Sequence, residues 1–526
     1  MKKQRKHYAP EEKVAILRRH WVARCGRQQV LRLAGTLREG ERAQRSVVRL
    51  SITSDVLLKR SFAAMSFLVA CLQSPLAAQT LVITHVAVID ATGRPVRRDQ
   101  TVVVEGDRIV TIGRSSAIPT GAQTVDGSGK YLIPGLWDMH AHTLNPGLFL
   151  KLYVANGVTG VRDMGSPMRG IDAWRKALAE GLPVPRVVAG VMIDGKPPIF
   201  ARSAIGVTTG DEARDAVQQA KKMGGDFIKI YSLFGREAYF AAVDEARKAG
   251  LPIAGHVPES ITAAEASSAG QRSFEHLMGV FRSTSRDEVH LRAELDKHLA
   301  SPSFAERLAA VGSDFDVHTA IDTFDATKAE ALFKLLARNG TWQTPTLVAL
   351  RAIGRFDDEQ FVNDPRVKYM TPGQREAWRP QNDFRYRDQK PEDYANMRKV
   401  YRKALEMTGR LHRAGVGILA GTDPPNPYCF PGFSIHDELA LLVEAGLRPI
   451  EAIQAATRNP ARYFGTGSSM GTVERGKVAD LVLLDANPLA DITNTKKISA
   501  VVLGGKLLTR AQLDALLSEV EAAAKQ

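Results

Sequence analysis

The chain has 526 residues, enough for one large domain with additions or two to three ordinary ones. Its formal net charge is +14, but residues 1–60 hold 16 Lys and Arg against 5 Asp and Glu, a net of +11. The remaining residues carry only +3, so the charge does not argue for a nucleic-acid partner of the main body. Cysteine occurs only at Cys25, Cys71 and Cys429, which leaves the body a single thiol and excludes a disulfide framework there.

In chain order, a basic leader comes first, over residues 1–54. Its residues 2–22, KKQRKHYAPEEKVAILRRHWV, resemble the opening of an insertion-element transposase, with Pro10, Glu11 and Glu12 suited to a helix start. No second recognition helix follows. The segment is read either as a DNA-binding arm or, preferably, as an upstream extension. Residues 55–78 follow, where Lys59-Arg60 precede SFAAMSFLVACLQSPLAA, a basic pair, a short apolar run and a small-residue exit. The run is too short for a confident membrane span. Export to the periplasm or the exterior is expected. It would come with cleavage after Ala78 or, through Leu68-Val69-Ala70-Cys71, with lipidation of Cys71. A cytoplasmic protein is expected if this internal signal is not used, in which case the run is simply a buried helix.

Two strand-rich blocks then flank a long middle. LVITHVAVI at 81–89 and TVVVEGDRIVTIG at 101–113, with a turn at Gly106-Asp107, lie on one side. ADLVLLD at 479–485 and ISAVVLGGKLL at 498–508 lie on the other. Neither block has much core alone, so a composite β-sandwich domain of 79–134 with 464–508 is expected. Residues 509–526 read as a C-terminal helix.

Between them, over 135–463, short β-like runs alternate with helical stretches such as DEARDAVQQAKKMG, REAYFAAVDEARKAG and MRKVYRKALEMTGRLHRAG. The predicted strands are 135–140, 157–163, 185–191, 226–231, 252–256, 272–276, 341–347 and 416–422. Eight such units make a (β/α)8 TIM barrel, an α/β fold whose active site sits at the C-terminal strand ends. The excursion 348–400 is read as a substrate lid, a subunit contact or a solvated insertion.

Chemistry-bearing residues gather at those strand ends. His140 and His142 close the first strand, and alternate residues of a strand point the same way, so both can reach one metal ion. Lys229 interrupts the apolar strand DFIKIY at 226–231, where a lysine is costly unless paired or altered. His256 closes PIAGH, His276 closes SFEH, and Asp423 follows GILAGT. Singly, each is more often a hydrogen-bonded structural residue than a ligand; together they are hard to dismiss.

The body, from about residue 80 to 508, resembles the amidohydrolase superfamily. The closest resemblance is to its branch of imidazolonepropionase-like enzymes and metal-dependent Xaa-Pro dipeptidases. The resemblance rests on PGLWDMHAH, DFIKIY, AGH, FEH, GTD, FSIHDEL, AATRNPA and GTVERGKVADLVLLDANPL at 471–489. It implies two divalent metal ions, with zinc expected. His140, His142 and Asp423 would hold one ion and His256 and His276 the other, while Lys229, carboxylated by carbon dioxide, would bridge them. It further implies attack by a hydroxide shared between the metals, with Asp423 shuttling the proton. Lys229 departs from the one-metal branch, which lacks it.

Tyr231, two residues beyond Lys229, is expected to face substrate, as are His436 and Arg202, the last for an acidic end group. Arg162 and Asp163 are expected to support the metal ligands by pairing. The ATRNP segment at 456–460 reads as helix end plus turn, with Asn459-Pro460 breaking the helix. The expected function is hydrolysis of an amide bond in short peptides of Xaa-Pro type or in N-acyl amino acids, by an enzyme that assembles as a homo-oligomer. The rivals are an imidazolonepropionase-like cyclic-amide hydrolase or deaminase and, in another class, a DNA-binding protein led by residues 1–60.

Overall fold

The computed structural model describes residues 80–526, apart from 115–116, 312–316, 384 and 388. The leader, the signal-like run, Cys25 and Cys71 lie outside the described residues, and with them the DNA-binding and lipid-anchor readings. Among the described residues no helix is long and apolar enough to cross a membrane.

Strand β1 (Thr80–Val88) runs antiparallel to β2 (Arg97–Glu105), and β2 turns at Gly106-Asp107 into β3 (Arg108–Gly113). The Leu81↔Val104 and Ile83↔Val102 registers put apolar side chains on one buried face, as an alternating strand requires. On its other side β1 takes β4 (Gln123–Asp126) and β5 (Tyr131–Pro134) in parallel. The chain then leaves through Gly135 into the barrel strands β6 (Leu136–Ala141), β7 (Val158–Asp163), β8 (Arg186–Gly195), β9 (Ala204–Val207), β10 (Phe227–Ile230), β11 (Ile253–Gly255), β12 (Ser273–Glu275) and β13 (Trp342–Thr344). It returns as β14 (Leu481–Leu484), β15 (Ile498–Leu503) and β16 (Lys506–Thr509). The first sheet has the order β16-β15-β14-β5-β1-β2-β3, so strands from the two ends of the body share one hydrogen-bonded network. Its core includes Leu81, Ile83, Val102, Leu132, Leu481 and Val502. The amide of Gly135 donates to the Asp480 carbonyl (2.8 Å), tying the outgoing and returning chains together.

The second sheet is parallel throughout, in the order β13-β12-β11-β10-β8-β7-β6. An eighth segment closes it. Gln343 donates its amide to Gly417 (2.9 Å) and accepts from Leu419 (2.9 Å), while Met139 donates to Ala420 (2.8 Å) on the other side. The ring is thus a near-closed (β/α)8 barrel, with β9 an added parallel strand on β8 that alternation alone did not reveal. The helices follow their sequence signals. Gly210–Lys222 starts at the Thr209 cap with Asp211 and Glu212 in its first turn and ends on Lys221 and Lys222, matching the helix dipole at both ends. Arg236–Ala249 stops at Gly250, whose φ of 71° suits glycine.

Two local readings shift. The helix break near ATRNP falls at Ala456–Thr457, and Pro460 lies in the first turn of a new helix, Arg458–Tyr463, where its missing N–H costs nothing. The excursion 348–400 is folded into short helices and leads into the 23-residue helix Pro391–Arg413. It packs onto the loop after the eighth barrel segment, with the Trp378 indole donating to the Pro425 carbonyl (3.0 Å). The C-terminal helix spans Arg510–Ala524, and Cys429 is a buried free thiol.

Candidate metal centre

His140 occupies the last turn of the β6 pleat, wholly buried. The eighth segment reaches it only because residue 421 is glycine, since a Cβ there would lie 2.7 Å from the His140 Cβ. The His140 Nδ1 lies 2.8 Å from the Glu275 Oε2. Burial alone would push the Glu275 carboxyl up, but the Arg162 charge and the His140 hydrogen bond outweigh it and hold the group ionised. An ionised carboxylate only accepts, so Nδ1 carries a proton, and in the neutral ring Nε2 presents a lone pair.

That lone pair points at another acceptor. The His140 Nε2 stands 3.3 Å from the Asp423 Oδ1, and the His142 Nε2 stands 3.4 Å from the same oxygen. The Nε2 of His140 has no hydrogen-bond partner although it is buried. Converging acceptors repel unless a cation sits among them, and ligand atoms of His140, His142 and Asp423 all lie within 4.8 Å of one another. His276 joins through its Nε2, 3.7 Å from the Asp423 Oδ2, and its ring centroid is 4.5 Å from that of His140.

The second pair of histidines is held the same way. The His256 Nδ1 meets the Ser232 hydroxyl (2.8 Å), and the His276 Nδ1 meets the Thr346 hydroxyl (2.6 Å). Burial, and then neighbouring positive groups, hold His256 well below the usual imidazole range and push His276 down to about 3. Both rings are therefore neutral, the form that binds a metal. Their rings stand edge to face at 5.1 Å.

Lys229 is fully buried on β10, and its Nζ has no hydrogen-bond partner. Burial lowers its pKa to about 8, against the pull of Glu275 and Asp423. Gly255 makes room for it. That residue adopts a φ of 129°, and a Cβ there would lie 2.8 Å from the Lys229 Cδ. An orphaned amine among carboxylates and imidazoles fits a group that reacts with, or faces, a cationic centre. The residues present therefore suit a divalent cation.

Asp423, His276 and Thr346 have φ values of 55°, 61° and 47°, in the sparsely populated left-handed region. Each sits just after a barrel strand, where such a turn redirects a side chain toward the strand ends. Strain of about 1–3 kcal/mol per residue is tolerated where the surroundings over-determine it.

Arg162 and Asp163 support this cluster. Arg162, wholly buried, donates to Glu275 (2.9 Å), Ser273 (2.9 Å), Thr344 (3.0 Å) and Tyr463 (3.1 Å). Asp163 accepts from the amides of Thr143 (2.8 Å) and Ser166 (2.7 Å), fixing the loop that carries His142. The Tyr231 ring packs against His256 at 4.2 Å and against Phe200 at 5.5 Å. Arg202 is exposed on the turn after Phe200, whose ring packs against Tyr231.

His436 corrects the expectation of a substrate contact. It is 2% exposed, with Nδ1 bonded to the Thr495 hydroxyl (3.1 Å) and Nε2 to the Asn156 carbonyl (3.1 Å). No ring nitrogen is left for a ligand. Burial pushes its pKa from 6.5 down to about 4. Replacing His436 with alanine is expected to cost about 1–3 kcal/mol of stability and to change kcat/KM by less than about twofold. The sign with pH follows. The unfolded chain takes up this proton first, so the stability from the neutral ring is full above pH 6.5 and lost as pH falls toward 4. Denaturant melts of wild type and variant across that window should converge at its acid end.

Two carboxylates went unread in the sequence. Glu275 links Arg162 to His140, and its signal was an acid inside the strand SFE, the same anomaly that marked Lys229. Asp138 accepts from the Thr422 hydroxyl (2.5 Å), the Thr422 amide (3.0 Å) and the His140 amide (3.2 Å), locking β6 to the eighth segment. Burial raises its pKa to about 6. Its signal was its alternation with His140 and His142.

The profile of the amidohydrolase family matches residues 131–508. The chain is 43% identical over 86 residues to a dihydroorotase of Trichlorobacter lovleyi and 35% identical over 121 residues to an imidazolonepropionase of Streptomyces coelicolor. Those stretches are 15% and 22% of this chain and span only 20% and 30% of the two relatives. An imidazolonepropionase of Vibrio cholerae is 22% identical over 79% of this chain and 94% of its own. Among solved structures, a Xaa-Pro dipeptidase with bound methionine superposes with a TM-score of 0.59 at 22% identity, covering 82% of this chain and 100% of its own. A bottromycin amidohydrolase superposes with a TM-score of 0.65 at 25% identity, covering 85% and 90%.

Proposed function

The chain belongs to the amidohydrolase family, hydrolases of carbon–nitrogen bonds, and from that premise we propose that it cleaves the amide bond of short peptides of Xaa-Pro type or of N-acyl amino acids at a centre for two divalent metal ions. The observation that carries this reading is the convergence of unpaired acceptors. His140, His142 and Asp423 face one another across 3.3–3.4 Å, and the orphaned Lys229 amine lies buried beside them.

His140, His142 and Asp423 would hold one ion, His256 and His276 the other, and Lys229, once carboxylated, would lie between. Divalent ions there supply Lewis acidity, making water acidic and the amide carbonyl electrophilic. Asp423 accepts the proton of the attacking water and returns it to the departing amine, a role that suits a carboxylate held ionised by its histidines. The Nδ1 partners Glu275, Ser232 and Thr346 keep the three rings turned so that each Nε2 faces the centre. Tyr231, whose ring packs against His256, would steady substrate from that side.

The test is turnover of a substrate panel by full-length protein loaded with zinc or manganese, against the same protein stripped by chelation. Release of free amine from Xaa-Pro dipeptides or N-acyl amino acids, restored by metal and accompanied by about two metal ions per chain, is expected. Cleavage confined to cyclic amides, or ammonia release from amino-purine or amino-pyrimidine rings, would replace this reading with the cyclic-amide or deaminase one.

A further inference from the structure

Two residues beyond His436, the helix Phe433–Glu444 carries Glu438, wholly buried. Burial pushes its carboxyl from 4.5 up to about 8, against two backbone amides that favour the charge. The amides offset so costly a burial only in part, which singles the residue out. Its Oε1 accepts from the Leu347 amide (3.1 Å) and its Oε2 from the Val348 amide (2.8 Å). Those are the first two N–H groups of the helix Leu347–Ile353, and Val348 is 90 residues from Glu438 in the chain.

A helix start is ordinarily satisfied by the residue just before it, whose side chain bonds the second or third amide from an extended backbone. Thr346 holds that place and does not do so. It sits in the left-handed region, at φ 47°, and makes no side-chain bond to its own helix. Its hydroxyl, wholly buried, lies 2.8 Å from the Pro345 carbonyl and 2.6 Å from the His276 Nδ1. A hydroxyl has one proton and a carbonyl only accepts, so that proton goes to Pro345. The oxygen then accepts from the His276 Nδ1, which leaves the Nε2 lone pair facing the Asp423 Oδ2 at 3.7 Å.

We propose that Glu438 is a positioning residue of the metal centre: it caps the helix Leu347–Ile353 in place of Thr346, and so frees the Thr346 hydroxyl to hold the His276 ring with Nε2 inward. This rests on the two-metal reading above and extends it to a carboxylate that touches neither metal nor substrate.

The experiment titrates metal-stripped full-length protein with zinc against a chromophoric chelator. Wild type, Glu438→Gln, Thr346→Val and the double variant complete a cycle. Glutamine keeps the size of the side chain but turns an NH2 toward one helix amide, so one cap bond is lost and two donors meet. Of the two zinc ions, one should weaken by about tenfold or more in Glu438→Gln, and the same one in Thr346→Val. The double variant should lose little beyond the larger single loss, because both changes break one chain of contacts. Additive losses, or two ions loosened alike, would overturn the proposal. So would an equal selective loss in Asp325→Ala, which strips the cap from the separate helix Ala326–Asn339 and lowers stability alone. Should Glu438→Gln not fold, Glu438→Asp, which keeps both oxygens but withdraws them by a methylene, takes its place in the cycle.

Melting temperatures of the metal-free protein read the same cycle without zinc. Coupled losses there, in a wild type that binds no zinc, would leave the link between Glu438 and Thr346 standing and sink the two-metal reading. If wild type binds a single zinc, the two-metal reading falls and the cycle on that ion decides the link. Two bound zinc ions with uncoupled losses in both readouts would sink the link alone.

Discussion

Replacing Lys229 with methionine is expected to lower kcat/KM by on the order of 10³-fold or more and to cut bound metal well below two ions per chain. Methionine keeps the apolar stem buried on β10, so the loss reports the amine and not a cavity. A second outcome separates function from folding. In wild type, burial holds the Lys229 amine at a pKa of about 8 instead of 10.5. The unfolded chain binds that proton more readily, so the group's penalty is absent above pH 10.5, grows as pH falls from there to about 8, and stays at roughly 3 kcal/mol below that, neutral pH included. Metal-free Lys229→Met should therefore be at least as stable as metal-free wild type at pH 7, while being inactive. Metal content, calorimetric melts and turnover on the same preparations check this. Carboxylation needs the neutral amine, so metal loading of the wild type should also speed up with added bicarbonate. Full turnover by the methionine variant would refute the bridged two-metal scheme.

Asp423→Asn should reduce kcat by about 10²- to 10⁴-fold at saturating metal, with a much smaller change in KM. Asparagine is the informative substitution because Asp423 has a φ of 55°, a conformation asparagine tolerates and alanine does not. The backbone turn and the neighbouring Asn426 should persist, so what is lost is a negative oxygen facing His140 and His142. Weaker metal binding is expected as well. The two effects separate in a metal titration, because added metal can refill the site but cannot restore a proton acceptor. A variant within about threefold of wild-type kcat at saturating metal would remove Asp423 from proton transfer.

The architecture was legible wherever its signals are local. Seven barrel strands and the eighth closing segment fell where β-like runs alternate with helical ones, because a parallel strand buried on both faces is a short apolar run between polar helices. The glycines of AGH and AGTD carried meaning too, though its content was invisible. Gly255 is needed for the passage beside Lys229 and Gly421 for the approach to His140, and neither partner is near in sequence. Strand β9 escaped because it extends β8 at the edge and has no alternation of its own to announce it.

Which side chains would act was likewise half legible. His140, His142, Lys229, His256, His276 and Asp423 were each marked by a strand end or by a polar residue in an apolar strand, properties that a sequence carries by itself. The partners that fix their tautomers were not. Glu275 meets His140 across 135 residues and Arg162 across 113, and such pairings exist only after the barrel closes. His436 shows the reverse. A histidine at a loop-to-helix junction reads as a substrate contact until the fold supplies Thr495 and Asn156 to occupy both nitrogens. The excursion's packing was equally out of reach, because nothing in the residues around Arg385 says that Asn426 will stand beside it. Sequence by itself marked the alternating units of the barrel and the polar residues at its strand ends, since both follow from periodicity and residue type within a few positions. Tertiary structure alone decided which ring nitrogen faces inward and which histidine is structural, because hydrogen bonds are short and directional and their partners are brought together only by folding.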